Sequence, residues 1–325
     1  MSSSAFLAEA AARGVPAKGT ARKAAGLILG TAQLGAPYGS VVQTVAPSER
    51  EAIALVCTAL NEGCGIDTAR IYPDSERRVG LALATLRSDV RNSLAIVTKL
   101  DPLNEIADAR TARVATRQSI CASRRALGLE RLPVLLLHRA EHRTAWGGAA
   151  WDELRILAER GAIGCLGASV QTVGELVDVL SDPDIRHIQL PLNPLDGRWA
   201  AAAVQSALAG RRDVVVHVRS VYLQGTLLRD AAAWPRVVDP GPYMSWLDTW
   251  SARLGRTRAD LCLAYVRAQA WVDGTVIGAE SMQQIDENIG LFARPPLTDA
   301  ERAAMEGDRP AVPDTLVNPA LWPRP

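Results

Sequence analysis

The sequence has little of what marks several large protein classes. Its five cysteines are an odd number and no two form a C-x-x-C pair, so neither a disulfide framework nor a metal site is predicted. No apolar run approaches the roughly 20 residues that a membrane-spanning helix needs. Residues 1–25 are rich in Ala, Ser, Lys and Arg and lack the apolar stretch of a secretory signal. These absences predict a cytoplasmic protein without a membrane partner.

An excess of charge of one sign is also missing. Lys and Arg number 36 against 35 Asp and Glu, which gives a net charge of +1, and no basic block occurs. Nucleic-acid binding is therefore not expected. Apolar residues make up 48% of the 325 residues, which is typical of a globular protein and sufficient for the large core of one α/β barrel.

The glycine spacing G-x-G-x-x-G of an open, doubly wound sheet is absent after the early strands. Instead, eight short apolar segments alternate with helical patterns, as expected for strands buried on both faces. They are residues 26–30, 65–68, 94–98, 134–137, 164–169, 187–191, 214–218 and 274–278. We therefore predict the α/β class and a single-domain (β/α)8 TIM barrel over residues 26–296. Residues 1–25 would form a flexible N-terminal extension, and residues 297–325 a C-terminal helix and Pro-rich tail.

Local signals predict where several helices begin and end. The S/T-x-x-E/Q pattern of a capping box precedes apolar helical segments at Ser48, Thr172 and Ser281. Gly128 and Gly161 follow helical segments as terminating glycines do. The long segment from residue 219 to about residue 243, which contains several prolines, predicts an irregular loop on the catalytic face of the barrel.

Four polar residues occupy equivalent positions in neighbouring βα units. Asp67 ends the second apolar segment, Lys99 follows the third, His138 follows the fourth, and Tyr72 lies shortly after Asp67. Because parallel barrel strands share one carboxyl-terminal rim, these side chains are expected to converge there. Each residue alone is more typical of a cap, a solvated charge or a structural side chain; the set together favours catalysis.

The four residue types form a coherent general acid. A tyrosine hydroxyl has a pKa of about 10, and the ammonium of Lys99 is expected to lower the pKa of Tyr72. Asp67 would hold Lys99 and offset its desolvation. His138 would orient or polarise a carbonyl oxygen, which gains negative charge when a hydride is added to the carbonyl carbon. This chemistry requires no metal.

Ordered motifs around these residues resemble those of the aldo-keto reductase family. GIDTARIYPDSERRVG (65–80), IVTKL (96–100) and LLLHRAEH (135–142) are similar to its first motifs. GAIGCLGAS (161–169), IQLPLNPL (188–195), VRSVYLQGTLL (218–228) and TVIGAESMQQIDEN (275–288) are similar to its later ones. The resemblance covers about residues 27–292. It implies hydride transfer between a nicotinamide cofactor and a carbonyl or alcohol, with Tyr72 as general acid or base.

The resemblance also implies which residues hold the cofactor. These are Gly30, Thr31, Asp67, Ser169, Gln189, Arg219, Ser220, Val221, Leu223, Gln224, Gly225, Gly278, Ala279, Glu280, Ser281, Gln284 and Asn288. The catalytic set that it implies is Asp67, Tyr72, Lys99 and His138.

Three positions on the catalytic side depart from the family pattern. Pro73 replaces the usual glycine after the tyrosine and stiffens the backbone. Val170 replaces an asparagine that contacts the carboxamide. Arg219 replaces an aromatic residue that stacks on the nicotinamide, although a guanidinium can also stack.

Two further departures and one neighbouring carboxylate concern the choice of cofactor. Gly278 and Gln284 stand where well-known members carry Lys and Arg for the 2′-phosphate, and Glu280 would repel that phosphate. The family as a whole favours NADP(H), whereas these substitutions favour NAD(H), so both remain open.

The substrate is expected to be a small aldehyde, ketone or sugar-like molecule. His142, Arg139, Arg143 and Trp146 in the loop after His138 are candidates for contacting it. The departures above also motivate an alternative, a cofactor sensor or partner-binding protein of the same fold with little turnover. The oligomeric state has no indicator in the sequence.

Overall fold

The eight apolar segments form eight parallel strands that close into a barrel in chain order, with β1 paired to β8. The computed structural model describes residue 24 and residues 26–36, 46–86 and 94–323. The strands are β1 (Leu27–Gly30), β2 (Gly65–Asp67), β3 (Ile96–Lys99), β4 (Leu132–Leu137), β5 (Ile163–Ser169), β6 (His187–Pro191), β7 (Val215–Arg219) and β8 (Gly274–Gly278). The predicted (β/α)8 barrel is confirmed, and strand ends differ from the sequence prediction by at most two residues.

Helices surround the barrel and follow the strands in sequence. They are α1 (Glu49–Asn61), α2 (Ser75–Ala84), α3 (Ala109–Leu127), α4 (Ala149–Glu159), α5 (Val173–Leu180), α6 (Ala202–Gly210), α7 (Gly241–Leu254), α8 (Arg258–Arg267), α9 (Met282–Phe292), α10 (Asp299–Gly307) and α11 (Asp314–Val317). No helix within the described ranges combines the length and apolar character needed to cross a membrane.

The predicted helix ends are largely confirmed. Ser48 and Thr172 each form a complete capping box at the start of α1 and α5, and Gly128 and Gly161 adopt the left-handed conformation beyond α3 and α4. At α9 the box is incomplete. Ser281 accepts a hydrogen bond from the amide of Gln284, as predicted, but the Gln284 side chain accepts from the amide of Glu280 instead of Ser281.

Because successive side chains point to opposite faces of each strand, the apolar core has two layers. The large cluster lies between the strands and the surrounding helices, and a small cluster comprises Val97, Val134, Leu136 and Cys165. Val97 is two residues before Lys99 on β3, so both side chains point to the same face of the strand. The small cluster therefore fills the barrel below the polar residues at its carboxyl-terminal rim.

The segment between β7 and α7 is irregular, as predicted, with short 3₁₀ turns at Thr226–Leu228 and Ala231–Ala233. Beyond β8, the C-terminal region forms α10 and α11. Asp308, at the end of α10, accepts hydrogen bonds of 2.9 Å from the indole N–H groups of Trp246 and Trp250 on α7. These bonds attach the C-terminal region to the outside of the barrel. Of the predicted N-terminal extension, all but residue 24 lies outside the described residues.

Candidate active site

The four residues singled out in the sequence lie together at the carboxyl-terminal rim. Asp67 and Lys99 end β2 and β3, His138 follows β4, and Tyr72 lies in the loop before α2. The ring centroids of Tyr72 and His138 are 6.2 Å apart with the rings perpendicular. The Lys99 ammonium lies 5.4 Å from the centroid of the Tyr72 ring. We call this group the tetrad.

Asp67 and Lys99 form a buried ion pair at the base of the site. Lys99 Nζ donates to both carboxylate oxygens of Asp67 at 2.8 Å and to the carbonyl of Thr68 at 3.1 Å. Gln189 on β6 also donates to Asp67, Nε2 to Oδ1 at 2.7 Å. These bonds satisfy much of the hydrogen-bonding capacity of two groups that burial would otherwise penalise.

The loop that carries Tyr72 is held against the start of the barrel. The Ser75 hydroxyl donates to the Thr31 carbonyl at 2.5 Å, and buried Glu76 accepts from the Thr98 hydroxyl at 2.7 Å. Gly35 packs so closely that a Cβ added to it would lie 1.6 Å from the Pro73 carbonyl oxygen. Rigid elements therefore fix the Tyr72 loop from both sides.

Tyr72 keeps its proton more firmly than the sequence predicted. Burial raises the pKa of Tyr72 above its ordinary value, the nearby charge of Asp67 raises it further, and Arg219 acts in the opposite direction. The net shift of this pKa is therefore upward, opposite to the lowering expected from Lys99, and its largest cause is burial of the phenol. The raised pKa keeps the Tyr72 hydroxyl protonated, and therefore present as a donor, but it also makes the hydroxyl a weaker acid.

His138 is neutral at ordinary pH. Burial lowers its pKa to about 3, helped by the charges of Lys99, Arg219 and Arg139. Its Nδ1 is buried and has no hydrogen-bond partner among the described residues. A neutral imidazole carries one N–H donor and one acceptor, so it can orient a carbonyl oxygen without competing with Tyr72 as the acid.

A groove of about 770 Å³ runs from the tetrad along the carboxyl ends of β7, β8 and β1. Asp67 and Tyr72 line its inner end, whereas Lys99 and His138 do not line it. Of the residues expected to hold a cofactor, the following line the groove: Gly30, Thr31, Asp67, Arg219, Ser220, Val221, Gln224, Gly225, Gly278, Glu280, Gln284 and Asn288. Ser169, Gln189, Leu223, Ala279 and Ser281 do not.

The groove wall and the buried layer beside it each have one feature suited to a polar ligand. The loop after β7 places Ser220, Leu223, Gln224 and Gly225 at positive φ, and turns of this kind can form concavities that bind anions. Beside Asp67, Gln189 Oε1 is fully buried and lacks a hydrogen-bond partner within the described parts of the chain. An unpaired buried acceptor is costly, and a ligand amide N–H would satisfy it.

Comparison with known proteins identifies the family. A model of the aldo/keto reductase family matches residues 26–307. The chain belongs to the aldo/keto reductase family. The structure is similar to that of an aldo-keto reductase from Bacillus halodurans in its holo form, with 21% identity, a TM-score of 0.72, and coverage of 89% of this chain and 93% of that one. The glycerol dehydrogenase of Gluconobacter oxydans is 22% identical, with a TM-score of 0.69 and coverage of 87% and 90%. No curated protein matches the chain significantly.

Family membership makes this aldo/keto reductase an oxidoreductase and confirms the resemblance that the motifs indicated. Several groove residues were not found from the motifs, among them Gln33, Tyr222, Arg229, Asp230 and Glu287. Helical spacing would have indicated some of these groove residues, because the residues three, four and seven positions after Gln284 lie on the same face of α9 as Gln284. Those positions are Glu287, Asn288 and Leu291, and all three line the groove.

A second cavity, of about 510 Å³, is formed by the loops after β3 and β4. His142 and Trp146 line it with ring centroids 5.1 Å apart, and Arg139 also lines it. Arg143 does not; its guanidinium pairs with Asp178 at 2.7 Å. Of the four residues expected to contact substrate, three therefore surround a cavity, and the fourth binds α5.

Proposed function

We propose that this aldo/keto reductase uses a nicotinamide dinucleotide to interconvert a small carbonyl compound and its alcohol, with Tyr72 as the proton donor. The observation that carries the proposal is the placement of Tyr72. Its side chain lines a groove of about 770 Å³, and its ring lies beside a buried Asp67–Lys99 pair and a neutral His138.

The residues divide the chemistry in a simple way. The bound cofactor supplies or accepts the hydride. Tyr72 donates the proton to the carbonyl oxygen as negative charge develops there. His138 orients that oxygen. The Asp67–Lys99 ion pair lies against the Tyr72 ring and helps to hold it in position. Ser169, Gln189 and the groove residues named above would hold the cofactor, with the unpaired Gln189 Oε1 as an acceptor for the carboxamide N–H.

NAD(H) is the cofactor that the groove favours. The segments after β7 and β8 line the groove with three carboxylates, Asp230, Glu280 and Glu287, against one cation, Arg229. The Gln284 side chain is engaged by the amide of Glu280 at 2.7 Å. A 2′-phosphate would add negative charge beside these carboxylates, and at an effective dielectric of about 20 each close pair costs roughly 1 kcal/mol or more. The local charge therefore opposes the general family preference for NADP(H).

Titration of the protein with NADH and with NADPH, followed by quenching of tryptophan fluorescence, tests the cofactor assignment. We expect NADH to bind about tenfold or more tightly than NADPH, and Glu280→Arg to reverse or abolish the difference because it replaces a repelling charge with an attracting one. Asp286→Asn removes a charge from an exposed position of α9 that does not line the groove, and should leave both affinities unchanged. If the folded protein binds neither NADH nor NADPH, the proposed function is contradicted.

The second cavity favours a small hydroxylated or polar carbonyl compound as the substrate. The cavity beside His142 and Trp146 combines an aromatic surface with charged and amide side chains, including Asn104 and Glu105. Aromatic rings with neighbouring polar groups are suited to sugar-like molecules, which have an apolar face and a hydroxylated edge. The structurally similar protein from Gluconobacter oxydans is a glycerol dehydrogenase, and glycerol is a small hydroxylated molecule of this class.

A further inference from the structure

The loops that form the second cavity adopt an unusual backbone conformation around it. Three non-glycine residues that line the cavity have positive φ: Leu103 at 50°, Glu105 at 62° and Trp146 at 54°. Residues with a side chain rarely adopt this conformation, and those that do are concentrated at functional sites. The Trp146 indole N–H also donates to the Ile106 carbonyl at 3.0 Å, which joins the loop after β4 to the loop after β3. The two loops therefore hold one shape around the cavity.

His142 is a buried polar side chain of this cavity with unused hydrogen-bonding capacity. It is only 4% exposed, its ring packs on Trp146, and its Nδ1 has no hydrogen-bond partner among the described residues. Burial lowers the pKa of the His142 ring below its ordinary value, and the charge of Arg139 acts in the same direction. The ring is therefore neutral at pH 7 and carries one N–H donor and one acceptor. A hydroxyl group, which also donates and accepts, is a matching ligand.

The charged residues at the mouth of the cavity oppose an anionic ligand. Glu105, Glu141 and Arg139 line the cavity and are exposed. Arg139 is paired with Glu141 at 3.6 Å, whereas Glu105 forms no ion pair within the described ranges. A phosphate or carboxylate would therefore meet more negative than positive charge, and an uncharged ligand would not be repelled.

The second cavity lies close to the catalytic residues. Arg139, which lines it, directly follows His138 in the sequence. Arg139 and His142 are both close enough to His138 to contribute to its lowered pKa. A substrate that places its carbonyl oxygen at Tyr72 and His138 can therefore extend toward His142.

We propose that His142 is a specificity-determining residue that binds a hydroxyl of an uncharged, sugar-like substrate, away from the reacting carbonyl group. This inference rests on the proposed function and narrows its substrate class to polyhydroxylated carbonyl compounds without a phosphate. The Trp146 ring would pack against the apolar face of the substrate. His142 takes no part in hydride or proton transfer.

Calorimetric titration with xylitol, sorbitol and sorbitol 6-phosphate tests the inference without relying on turnover, using the full-length protein alone and with saturating NADH. We expect the two polyols to bind, and sorbitol 6-phosphate to bind at least about 5-fold more weakly than sorbitol because of the carboxylates at the mouth. His142→Phe keeps an aromatic ring beside Trp146 and removes both nitrogens. It should weaken polyol binding about 3- to 10-fold, as loss of a neutral hydrogen bond does.

Two further variants complete the titration. His142→Gln keeps a donor and an acceptor and should retain part of the polyol affinity. Arg110→Gln changes an exposed position near the start of α3 that does not line the cavity, and should behave as wild type.

Steady-state kinetics with NADH separate recognition of a hydroxyl from a general structural role of His142. For xylose, His142→Phe should raise KM by a similar factor and leave kcat nearly unchanged. For pentanal, which has the carbonyl group but no hydroxyl, both constants should stay as in wild type. An equal loss with both substrates would show that His142 only supports the loop, and would overturn the inference.

Absence of binding of both polyols to the wild type, or unchanged polyol binding in His142→Phe, would also overturn the inference. So would sorbitol 6-phosphate that binds the wild type as tightly as sorbitol, a comparison that needs no variant. If the wild type binds polyols through His142 but binds neither NADH nor NADPH, the proposed function fails while the hydroxyl-binding site stands.

Discussion

Asp67 is shared by Lys99 and Gln189, both of which donate to its carboxylate from inside the barrel. Asp67→Asn would leave the buried ammonium of Lys99 without its counter-charge. We expect it to lower the free energy of unfolding by about 3–5 kcal/mol, measured by urea denaturation. The double variant Asp67→Asn/Lys99→Met should cost less than the sum of the two single variants, because it removes both charges. Strict additivity would contradict the coupling, and exposed Asp286→Asn serves as the control.

The raised pKa of Tyr72 has a consequence for activity at high pH. A group whose pKa is raised stays protonated through its ordinary titration range, so the proton donor is not lost as pH rises toward about 10. His138, with a pKa of about 3, stays neutral over the same interval. We therefore expect kcat for carbonyl reduction to be level from weakly acidic to weakly alkaline pH. A fall with an apparent pKa near neutrality would show instead that Lys99 lowers the pKa of Tyr72 in the working enzyme.

The identity of the tetrad residues could be predicted from sequence because strand ends locate them. Asp67, Lys99 and His138 each follow an apolar segment, and parallel strands bring such positions to one rim. The direction in which the Tyr72 pKa is shifted could not be predicted. Its largest cause is burial of the ring, followed by the charges of Asp67 and Arg219, and burial is decided by tertiary packing.

At the level of secondary-structure elements, the start of α9 was predicted correctly, but its capping box was not. Ser281 caps the helix as predicted, but Gln284 bonds to the amide of Glu280, one residue earlier than in a capping box. The sequence pattern is the same for both arrangements, because each satisfies an N–H group near the helix start. The difference matters here, since it fixes Gln284 beside Glu280, and both residues line the groove.

The attachment of α10 to α7 depends on one carboxylate oxygen. Oδ1 of Asp308 accepts both indole N–H bonds, from Trp246 and Trp250, and both rings are buried. Asp308→Ala would leave two buried donors unpaired, so we expect a loss of about 2–6 kcal/mol of stability, from roughly 1–3 kcal/mol for each unpaired group. Thermal denaturation measures it. Asp308→Asn keeps an oxygen acceptor and should retain most of the stability; an equal loss in both variants would contradict this role of Asp308.

For the whole molecule, all four histidines have a lowered pKa: His138, His142, His187 and His217. The rings of His187 and His217 are buried with centroids 4.1 Å apart, and burial lowers the pKa of His217 to about 3. Each is neutral in the folded protein, whereas in the unfolded chain each gains a proton below its ordinary pKa of about 6.5. The unfolded state then binds more protons, so stability is present above pH 6.5 and is lost as pH falls.

We expect the free energy of unfolding to decrease below about pH 6.5, by up to about 1.4 kcal/mol per pH unit for each of His187 and His217. Urea denaturation at pH 7 and at pH 5 measures the slope. The double variant His187→Asn/His217→Asn should show a smaller decrease over that interval, even if its stability at pH 7 is lower. An unchanged slope would mean that other groups govern the acid sensitivity.

The barrel as a whole could be predicted because eight apolar segments and their intervening helical patterns repeat along the chain. The residues of the groove could be predicted less completely. Arg229 and Asp230 lie in the irregular segment after β7, where neither strand alternation nor helical spacing indicates which side chains face inward. Their position depends on how the loop folds back over β8, which is decided by tertiary packing.

The most direct test of Tyr72 as proton donor is NADH-dependent turnover of a panel of small aldehydes, ketones and oxo acids by wild type, Tyr72→Phe and Tyr243→Phe. Tyr243 lies on α7 and donates to the Ala311 carbonyl outside the groove, so its substitution is the matched control. We expect turnover by wild type and the control, and a loss of about 10²- to 10⁴-fold in Tyr72→Phe with NADH affinity preserved. Turnover that persists in Tyr72→Phe, or its absence in folded wild type that binds NADH, would contradict the assignment of Tyr72 as proton donor in a nicotinamide-dependent reaction.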